Sequence, residues 1–394
     1  MTYYAVFTGF SKIADYLYNA ASFGFREFSI IDFFIKCVYN LAIVKRGVQD
    51  RMFWYWWVLI GIAAVVISVV VILFCISLAI HRKIFHRRYN GNKYVRYFKA
   101  EDFDGLHAEA VSFLSDRGQR LHGFIYHAEG ALPIGLILFS HGFGAGHQAY
   151  TTEIAALARA GFLVLAYDGT GCVASEGRML GGFDQGAIDL RSALRFAAED
   201  ERLKGYKRVL VGHSWGAFSV MNALDSDVPI EGAAAMCGFV SCAGVIAQNT
   251  LGKCAFAEWC GRNFFRLFNR IRFGKFANYD SIRSLRKTEK PLLLLYGEQD
   301  KTVHFDKNGA RVRDAVRGKE NIRYLSYPQK GHNVYLTVQA ETYMHETFGT
   351  ISEQLKKDRT QASALYGAVD YRRMTEEDPA VMNILTDFCR SLLE

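Results

Sequence analysis

The sequence predicts an α/β fold in which a mostly parallel central sheet is flanked by helices on both faces and is preceded by one membrane-spanning helix. Two observations support this prediction. From about residue 105, short apolar strands alternate with helical segments, a pattern typical of parallel sheets that are buried on both faces. Residues 53–80 contain no charged side chain, and this run is longer than the roughly 20 residues that cross a bilayer core as a helix.

The apolar run at 53–80 is predicted to be a transmembrane helix rather than a buried core helix or a signal peptide. A core helix would carry polar positions on at least one face, and the run offers only Ser68 and Ser77. A cleaved signal peptide is disfavoured because about fifty residues precede the run. The aromatic cluster at residues 53–57 suits a membrane interface, where amphipathic rings lie at the level of the headgroups.

Residues 1–52 form a separate N-terminal segment, in which residues 27–45 predict an amphipathic helix. Asp32, Lys36 and Asn40 recur at four-residue spacing and give this helix one polar face. An interfacial or packing helix is favoured, with a second transmembrane span as the weaker alternative because Asp32 and Lys36 would be costly in lipid.

The charges that flank the apolar run predict its orientation. Residues 81–104 are interpreted as a basic juxtamembrane linker, and residues 81–100 carry seven Lys or Arg and no acid, against four in residues 33–52. Positive flanks favour the cytoplasmic side, so the chain after Ile80 is predicted to be cytoplasmic, with this collar on anionic lipid. The formal net charge of the chain is +8, and the collar supplies seven of these charges. The remainder of the chain is therefore close to neutral, which excludes a nucleic-acid partner.

The eight cysteines indicate neither a metal site nor a disulfide framework. They contain no C-x-x-C pair and no metal-type spacing with histidine. Buried free thiols are expected, with a pairing of Cys254 and Cys260 as the weaker alternative.

Residues 105–394 contain the segments that predict the sheet. EAVSFLS and RLHGFIYH flank the turn DRG and predict a hairpin. The later strands share a short apolar run that closes at or near a Gly, Asp or His: IGLILFSHG, FLVLAYDGTG, RVLVGHS, IEGAAAM and PLLLLYGEQD. Functional residues of such sheets collect at the carboxyl ends of the strands.

One strand-to-helix turn, LVGHSWGAF at residues 210–218, contains a candidate nucleophile. Ser214 lies between Gly212 and Gly216, after an apolar strand and before a helical segment. Glycines let the chain turn sharply and let the helix approach the strand, so the residue between them is forced outward. The G-x-S-x-G pattern in this context favours a nucleophile over a structural turn.

A nucleophilic serine needs a base that accepts its proton and an acid that orients the base. Asp300 follows the strand LLLLY and His332 follows the next strand, in the chain order Ser, Asp, His. Glu298 and His304 are weaker candidates for the acid and the base. Three histidines before the serine are expected to be turn or loop residues: His141, His147 and His213.

Attack on a carbonyl creates an oxyanion, which two backbone N–H groups are expected to stabilise. One should be that of Trp215, at the positive end of the helix after the serine. The other should be that of Phe143 in SHGFGAG, residues 140–146, which we name the glycine loop.

Residues from about 105 to 394 resemble the α/β-hydrolase superfamily, and within it the lid-bearing branch similar to serine aminopeptidases, monoglyceride lipases and related membrane-anchored bacterial hydrolases. The motifs that carry the resemblance are HGFGAGH, YDGTGCVASEG, GHSWG, YGEQDKTV and KGHN. They span most of the soluble chain and are specific for the fold, but not for a substrate. The chain departs from the family at Gly169, where an arginine usually follows the aspartate, and inserts Cys172 and Val173. Because that arginine usually has a structural role, the departure concerns loop geometry rather than activity.

The resemblance also implies a lid at about residues 239–283, before the acid-bearing strand. Its segment RNFFRLFNRIR sets three arginines four apart and places apolar residues on the opposite side at a helical repeat: Arg262, Arg266 and Arg270 against Phe264, Leu267, Phe268 and Ile271. The simpler interpretation packs the apolar face over the active site and leaves the arginines solvated. The alternative adds a contact with the anionic bilayer. Both place Phe264 and Phe268 near the acyl pocket.

The residues and the resemblance together imply a single-pass membrane serine hydrolase that cleaves an ester, thioester or amide through an acyl-enzyme, without metal or organic cofactor. A small acyl ester is the expected substrate, and a serine peptidase acting on short peptides is the alternative within the same chemistry. A non-catalytic membrane scaffold that keeps the fold is the alternative of another class. The intact set Ser214, Asp300 and His332 weighs against it.

Overall fold

The computed structural model describes residues 54–130, 132–144 and 146–394. The helix predicted at residues 27–45 lies outside the described residues. The chain divides into two compact units, Met1–Ile72 and Leu73–Glu394.

The first described element is a long helix, α1, at Trp54–Phe85. Its part Trp56–Phe85 is long and apolar enough to cross a membrane, and large side chains such as Leu59 and Ile62 are about half exposed on it. The helix runs five residues beyond the apolar run at 53–80, through a last turn that contains Arg82 and Lys83.

Within the described residues, eight strands form one sheet in the order β1-β2-β4-β3-β5-β6-β7-β8. The strands are β1 Leu106–Leu114, β2 Arg120–Ala128, β3 Leu136–Ser140, β4 Leu163–Tyr167, β5 Arg208–His213, β6 Gly232–Met236, β7 Leu292–Gly297 and β8 Ile322–Tyr327. β1 and β2 form the predicted antiparallel hairpin, with Leu114 opposite Arg120. β2 also pairs antiparallel with β4, and all later pairs are parallel.

Helices follow most of the strands, as the alternating sequence pattern predicts, and four more follow the last strand. They are α2 Thr151–Arg159, α3 Asp184–Glu199, α4 Trp215–Met221, α5 Cys242–Leu251, α6 Ala255–Phe273, α7 Ser281–Lys287, α8 Gly309–Val316, α9 Val338–Lys357, α10 Ala362–Gly367, α11 Tyr371–Met374 and α12 Pro379–Leu393. The segment α5 to α7 lies between β6 and β7, which is where the sequence predicts the lid.

The two faces of the sheet bury separate apolar clusters. Ile137 and Phe139 of β3 belong to one cluster, whereas Leu136 and Leu138 belong to the other, because successive side chains of a strand point to opposite faces. A third cluster joins Phe85 of α1 and Phe265 of α6 to Trp215, the residue after Ser214. The fold is the α/β-hydrolase fold, in which the loops after β3, β5, β7 and β8 meet at one edge of the sheet.

Candidate active site

Ser214 lies in a strained turn between β5 and α4. Its backbone has φ 56° and ψ −114°, a left-handed region that costs a residue with a Cβ of order 1–3 kcal/mol. The two glycines of the motif make the turn possible. A Cβ on Gly216 would lie 1.8 Å from the carbonyl oxygen of Ser140, and one on Gly212 would lie 2.5 Å from the carbonyl carbon of Gly216. The close approach of α4 to β3 and β5 therefore fixes the serine at the tip of the turn.

The structure brings Ser214, His332 and Asp300 together, although 118 and 32 residues separate the bonded pairs. Nε2 of His332 lies 2.9 Å from Oγ of Ser214, and Nδ1 lies 2.7 Å from Oδ2 of Asp300. The second carboxylate oxygen of Asp300 accepts hydrogen bonds of 2.8 Å from the N–H groups of Thr302 and Val303. The carboxylate is thus buried, fully hydrogen-bonded and fixed in orientation.

These contacts define the tautomer of His332. A carboxylate only accepts hydrogen bonds, so Nδ1 carries the proton and Nε2 is left to accept the proton of the Ser214 hydroxyl. This arrangement suits proton removal from the serine as its oxygen attacks a carbonyl, with the carboxylate stabilising the imidazolium that forms.

The competing candidates have other partners. Oε1 of Glu298 accepts a hydrogen bond of 2.6 Å from Oγ of Ser326. The ring of His141 donates to the carbonyl of Gly142 at 2.6 Å and accepts from the N–H of Gly169 at 2.9 Å. His147 pairs with Asp168 at 2.8 Å. His141 and His147 thus tie the glycine loop and the start of α2 to the loop after β4.

His213 contributes more than a turn residue, and sequence reasoning missed this. Its Nε2 lies 2.8 Å from the carbonyl oxygen of His332, and its Nδ1 lies 2.9 Å from the hydroxyl of Tyr150. Because a carbonyl only accepts, Nε2–H donates and Nδ1 accepts from Tyr150. Burial lowers the pKa of His213 well below its usual value, so the ring is neutral, as this pattern requires. The only signal in the sequence was its place directly before Ser214.

Phe143 and Trp215 belong to the two segments that meet at Ser214, the glycine loop and the start of α4. A Cβ on Gly142 would lie 3.4 Å from Cβ of Ser214, which places the glycine loop against the nucleophile turn. Among the described residues, neither the N–H of Phe143 nor that of Trp215 donates a hydrogen bond. Two unpaired N–H groups beside a nucleophile suit a developing negative charge.

The lid helix α6 differs from its prediction. The rings of Phe264 and Phe268 lie 5.2 and 5.5 Å from the ring of Phe74 in α1, and Phe268 also meets His81 at 5.2 Å. Leu267 and Ile271 are 48% and 76% exposed. The prediction of one covered apolar face is therefore wrong for these two residues.

The physical reason is that α1 covers only a narrow strip of the lid helix. Phe264 and Phe268 lie along this strip and meet Phe74 edge to face. Leu267 and Ile271 lie on the open side with the exposed Arg266 and Arg270. Arg262 is half-buried. The ring contacts of Phe264 and Phe268 are thus with α1 and within α6, rather than with the serine.

Within the described residues, one group of side chains has the composition of a metal site: His213, Cys237 and His332, whose ligand atoms lie within 4.8 Å of one another. Both ring nitrogens of His213 and both of His332 are already hydrogen-bonded. Burial raises the pKa of the Cys237 thiol well above its usual value, which disfavours the thiolate that a metal would need. The group is explained by the packing of the histidines beneath the serine.

Comparisons with known proteins agree with this fold. Residues 131–288 match the family described as serine aminopeptidase, S33. An esterase of Pyrococcus furiosus is similar in structure at 18% identity and a TM-score of 0.50, over 69% of this chain and 98% of that one. The esterase domain of a Rhodothermus marinus protein aligns over 73% of this chain and 100% of its own, at 18% identity and a TM-score of 0.43.

The acylaminoacyl peptidase of Pyrococcus horikoshii aligns over 59% of this chain and 38% of its own, at 15% identity and a TM-score of 0.45. A comparison with curated protein sequences gives no significant match. The sheet order, the strained serine turn and the family match agree on one assignment. The chain has the α/β-hydrolase fold, and its residues 131–288 are similar to the serine aminopeptidases.

Proposed function

We propose that this protein is a membrane-anchored serine hydrolase that cleaves an acyl ester through an acyl-enzyme, with Ser214, His332 and Asp300 as its catalytic triad. The proposal rests on the two hydrogen bonds of the His332 imidazole. Nε2 lies 2.9 Å from Oγ of Ser214, and Nδ1 lies 2.7 Å from Oδ2 of Asp300. A scaffold without activity has no need of a strained serine held against a base.

The proposed reaction has two halves, formation and hydrolysis of the acyl-enzyme, and the same catalytic groups act in both. Oγ of Ser214 attacks the acyl carbonyl while Nε2 of His332 takes its proton, and the N–H groups of Phe143 and Trp215 receive the oxyanion. The imidazolium then gives the proton to the leaving alcohol, thiol or amine, and the acyl-enzyme forms. Water repeats the sequence, with His332 as the base, and releases the acid and the free serine.

The test is covalent labelling followed by a substrate screen. A fluorophosphonate probe should label the wild-type protein at Ser214 and leave Ser214→Ala unlabelled. The screen compares p-nitrophenyl esters of graded chain length with aminoacyl anilides. Failure of the folded wild type to label at Ser214 would support the scaffold alternative and end the enzyme proposal.

A peptidase acting on short peptides is the second candidate, and the description of the matching family favours it. The same acyl-enzyme chemistry cleaves an amide if the leaving amine receives the proton from His332. Turnover of aminoacyl anilides at a higher kcat/KM than any of the esters would select this candidate.

We propose that α1 anchors the hydrolase in a membrane, with its catalytic part on the cytoplasmic side and its basic collar on anionic lipid. The support is the length and apolarity of Trp56–Phe85 and the seven positive charges of residues 81–100. Protease added to intact cells should spare the hydrolase. Its digestion from outside would reverse the orientation.

We propose further that the open side of the lid helix contacts the same bilayer. Phe74 and His81 belong to α1 and pack directly on the lid helix. The lid therefore lies beside the end of the anchor. Its exposed side carries Trp259, Leu267 and Ile271 together with Arg266 and Arg270. Large apolar groups mixed with arginines suit the boundary between headgroups and acyl chains.

A further inference from the structure

The segment that follows the anchor helix, residues 85–91, is bound to the hydrolase loops through its backbone. We name it the juxtamembrane strap. Its hydrogen bonds are those of Gly181 N to Phe85 O at 3.0 Å, Leu180 N to Arg87 O at 3.0 Å, Tyr89 N to Gly171 O at 2.9 Å, Val173 N to Tyr89 O at 2.9 Å and Gly91 N to Gly144 O at 3.2 Å. Tyr89 and Cys172 form a parallel bridge. The strap is thus paired with the loop after β4 and with the glycine loop.

Arg88 of the strap satisfies three carbonyl groups of the loop after β4. Its guanidinium donates to the oxygen of Gly177 at 2.5 Å and to those of Val173 and Ser175 at 2.9 Å. This is the loop in which Gly169 occupies the position where the family usually has an arginine. A guanidinium is suited to this task because its donors form a rigid planar fork. The strap thus brings an arginine from outside to a loop that has Gly169 at that position.

Tyr89 of the strap reaches the glycine loop. The centroid of its ring lies 4.3 Å from that of Phe143, and its hydroxyl donates to the carbonyl of Ile84 at the end of α1, at 2.8 Å. Phe143 packs on its other side against Phe183 at 5.1 Å. The residue whose N–H is proposed to receive the oxyanion is therefore held between Tyr89 of the strap and Phe183 of the loop after β4.

The glycine loop needs this support. Gly144 and Gly146 have φ values of 125° and 69°, conformations that glycine adopts readily because it has no Cβ. The carbonyl of Gly144 is held by the N–H of Gly91, and the N–H of Gly142 is held by Tyr150. One of these two bonds comes from the strap.

We propose that the juxtamembrane strap is a positioning element of the active site, in which Tyr89 and Arg88 hold the glycine loop in the geometry that receives the oxyanion. The proposal rests on the proposed function. Its consequence is that the segment directly after the anchor helix contributes to catalysis. A chain cut after the strap would keep Ser214, His332 and Asp300 but would lose stabilisation of the transition state.

The test compares Tyr89→Ala with Tyr89→Phe in the full-length protein in detergent, on a small p-nitrophenyl ester. Tyr89→Ala removes the ring beneath Phe143, and kcat should fall about tenfold or more, because small misplacements of catalytic groups cost up to about a hundredfold. KM should change little, since the loss falls on the transition state. Tyr89→Phe keeps the ring and should restore kcat. Tyr94→Ala removes another aromatic ring after α1, stacked on Tyr366, and should retain kcat.

Two measurements separate positioning from a general loss of structure. Rates are divided by the number of sites that a fluorophosphonate labels at completion, so unfolded protein does not count. The inhibition constant of a trifluoromethyl ketone, which forms an oxyanion with the serine, should rise by the same factor as kcat/KM falls. If Tyr89→Ala does not fold, Arg88→Lys is measured in the same way.

The outcomes are distinct. The positioning proposal would be overturned if Tyr89→Ala kept the wild-type kcat per labelled site. It would also be overturned if Tyr89→Phe did not restore the lost kcat. Either result would leave the proposed function intact. An active Ser214→Ala variant would overturn the proposed function itself.

Discussion

Nε2 of His213 donates a hydrogen bond of 2.8 Å to the backbone carbonyl of His332. This bond is the last of a chain that starts in the glycine loop. The N–H of Gly142 donates to the hydroxyl of Tyr150 at 3.0 Å, and that hydroxyl donates to Nδ1 of His213. One buried chain thus connects the loop of the proposed oxyanion donor with the backbone of the proposed base.

Tyr150→Phe should weaken both the fold and the activity. The change leaves the buried N–H of Gly142 and Nδ1 of His213 without partners, and an unsatisfied buried polar group costs about 1–3 kcal/mol. Chemical denaturation should show a loss of this size, and kcat should fall more than KM rises. Unchanged stability and kcat would mean that these hydrogen bonds do not position the catalytic groups.

Variants of Ser214, His332 and Asp300 should show whether Asp300 or the nearby Glu298 is the catalytic acid. Ser214→Ala and His332→Ala should each lower kcat by about 10⁶-fold. Asp300→Asn should lower it by about 10⁴-fold, because the histidine loses its correct tautomer. Glu298→Gln is the matched control, since Glu298 bonds Ser326, and it should keep kcat/KM close to the wild-type value. An inactive Glu298→Gln with a nearly normal Asp300→Asn would move the acid to Glu298.

Asp184 should make stability depend on pH in a predictable direction. Burial raises the pKa of its carboxyl group to about 7, and Oδ2 accepts a hydrogen bond from the N–H of Asn278 at 2.9 Å. The pKa of Asp184 in the folded protein thus exceeds the unfolded pKa of about 3.9. The stability that protonated Asp184 contributes is therefore fully present below the unfolded pKa and is lost as pH rises through about 7.

Asp184→Asn removes this titration. The Tm of the variant minus that of the wild type should therefore increase from pH 5 to pH 7 and level off above, when both are melted side by side. A difference that is constant over this range would contradict the raised pKa.

The sheet and the bonded serine, histidine and aspartate could be predicted because each functional residue follows an apolar strand. Parallel strands bring their carboxyl ends to one edge, so Ser214, Asp300 and His332 converge whatever the connecting helices do. The covered face of the lid could not be predicted in this way. Helical periodicity shows which residues share a side, but Phe264 and Phe268 are covered by Phe74 of a distant helix.

The strap could not be predicted either, because no local sequence pattern indicates pairing between residues 85–91 and the loop after β4. Its one signal was the combination of Gly169, where an arginine is usual, with a basic collar after the apolar run. The role of His213 required the position of the Tyr150 hydroxyl, which only the packing of α2 against the sheet supplies.

The last prediction concerns the exposed side of the lid helix and uses the full-length protein reconstituted in vesicles. If this side contacts anionic lipid, replacing Arg262, Arg266 and Arg270 by glutamine should slow hydrolysis of a vesicle-borne acyl ester at least about fivefold at low salt, since each near-surface arginine contributes about 1 kcal/mol. Hydrolysis of a water-soluble ester should not change. The effect should vanish in neutral-lipid vesicles and at high salt, where such charges are screened.

Two further variants decide whether the lid helix itself is responsible. Leu267→Ser with Ile271→Ser removes exposed apolar groups and should slow the vesicle-borne reaction in neutral and anionic lipid alike, because apolar burial does not depend on headgroup charge. Glutamine at Arg283, Arg286 and Lys287 of α7 removes the same charge from another exposed surface and should have no effect. If the lid triple variant hydrolysed the vesicle-borne ester as fast as the wild type at low salt, the helix would be a lid without a membrane role. The hydrolase would then meet its substrate from water, and the anchor would only set its location.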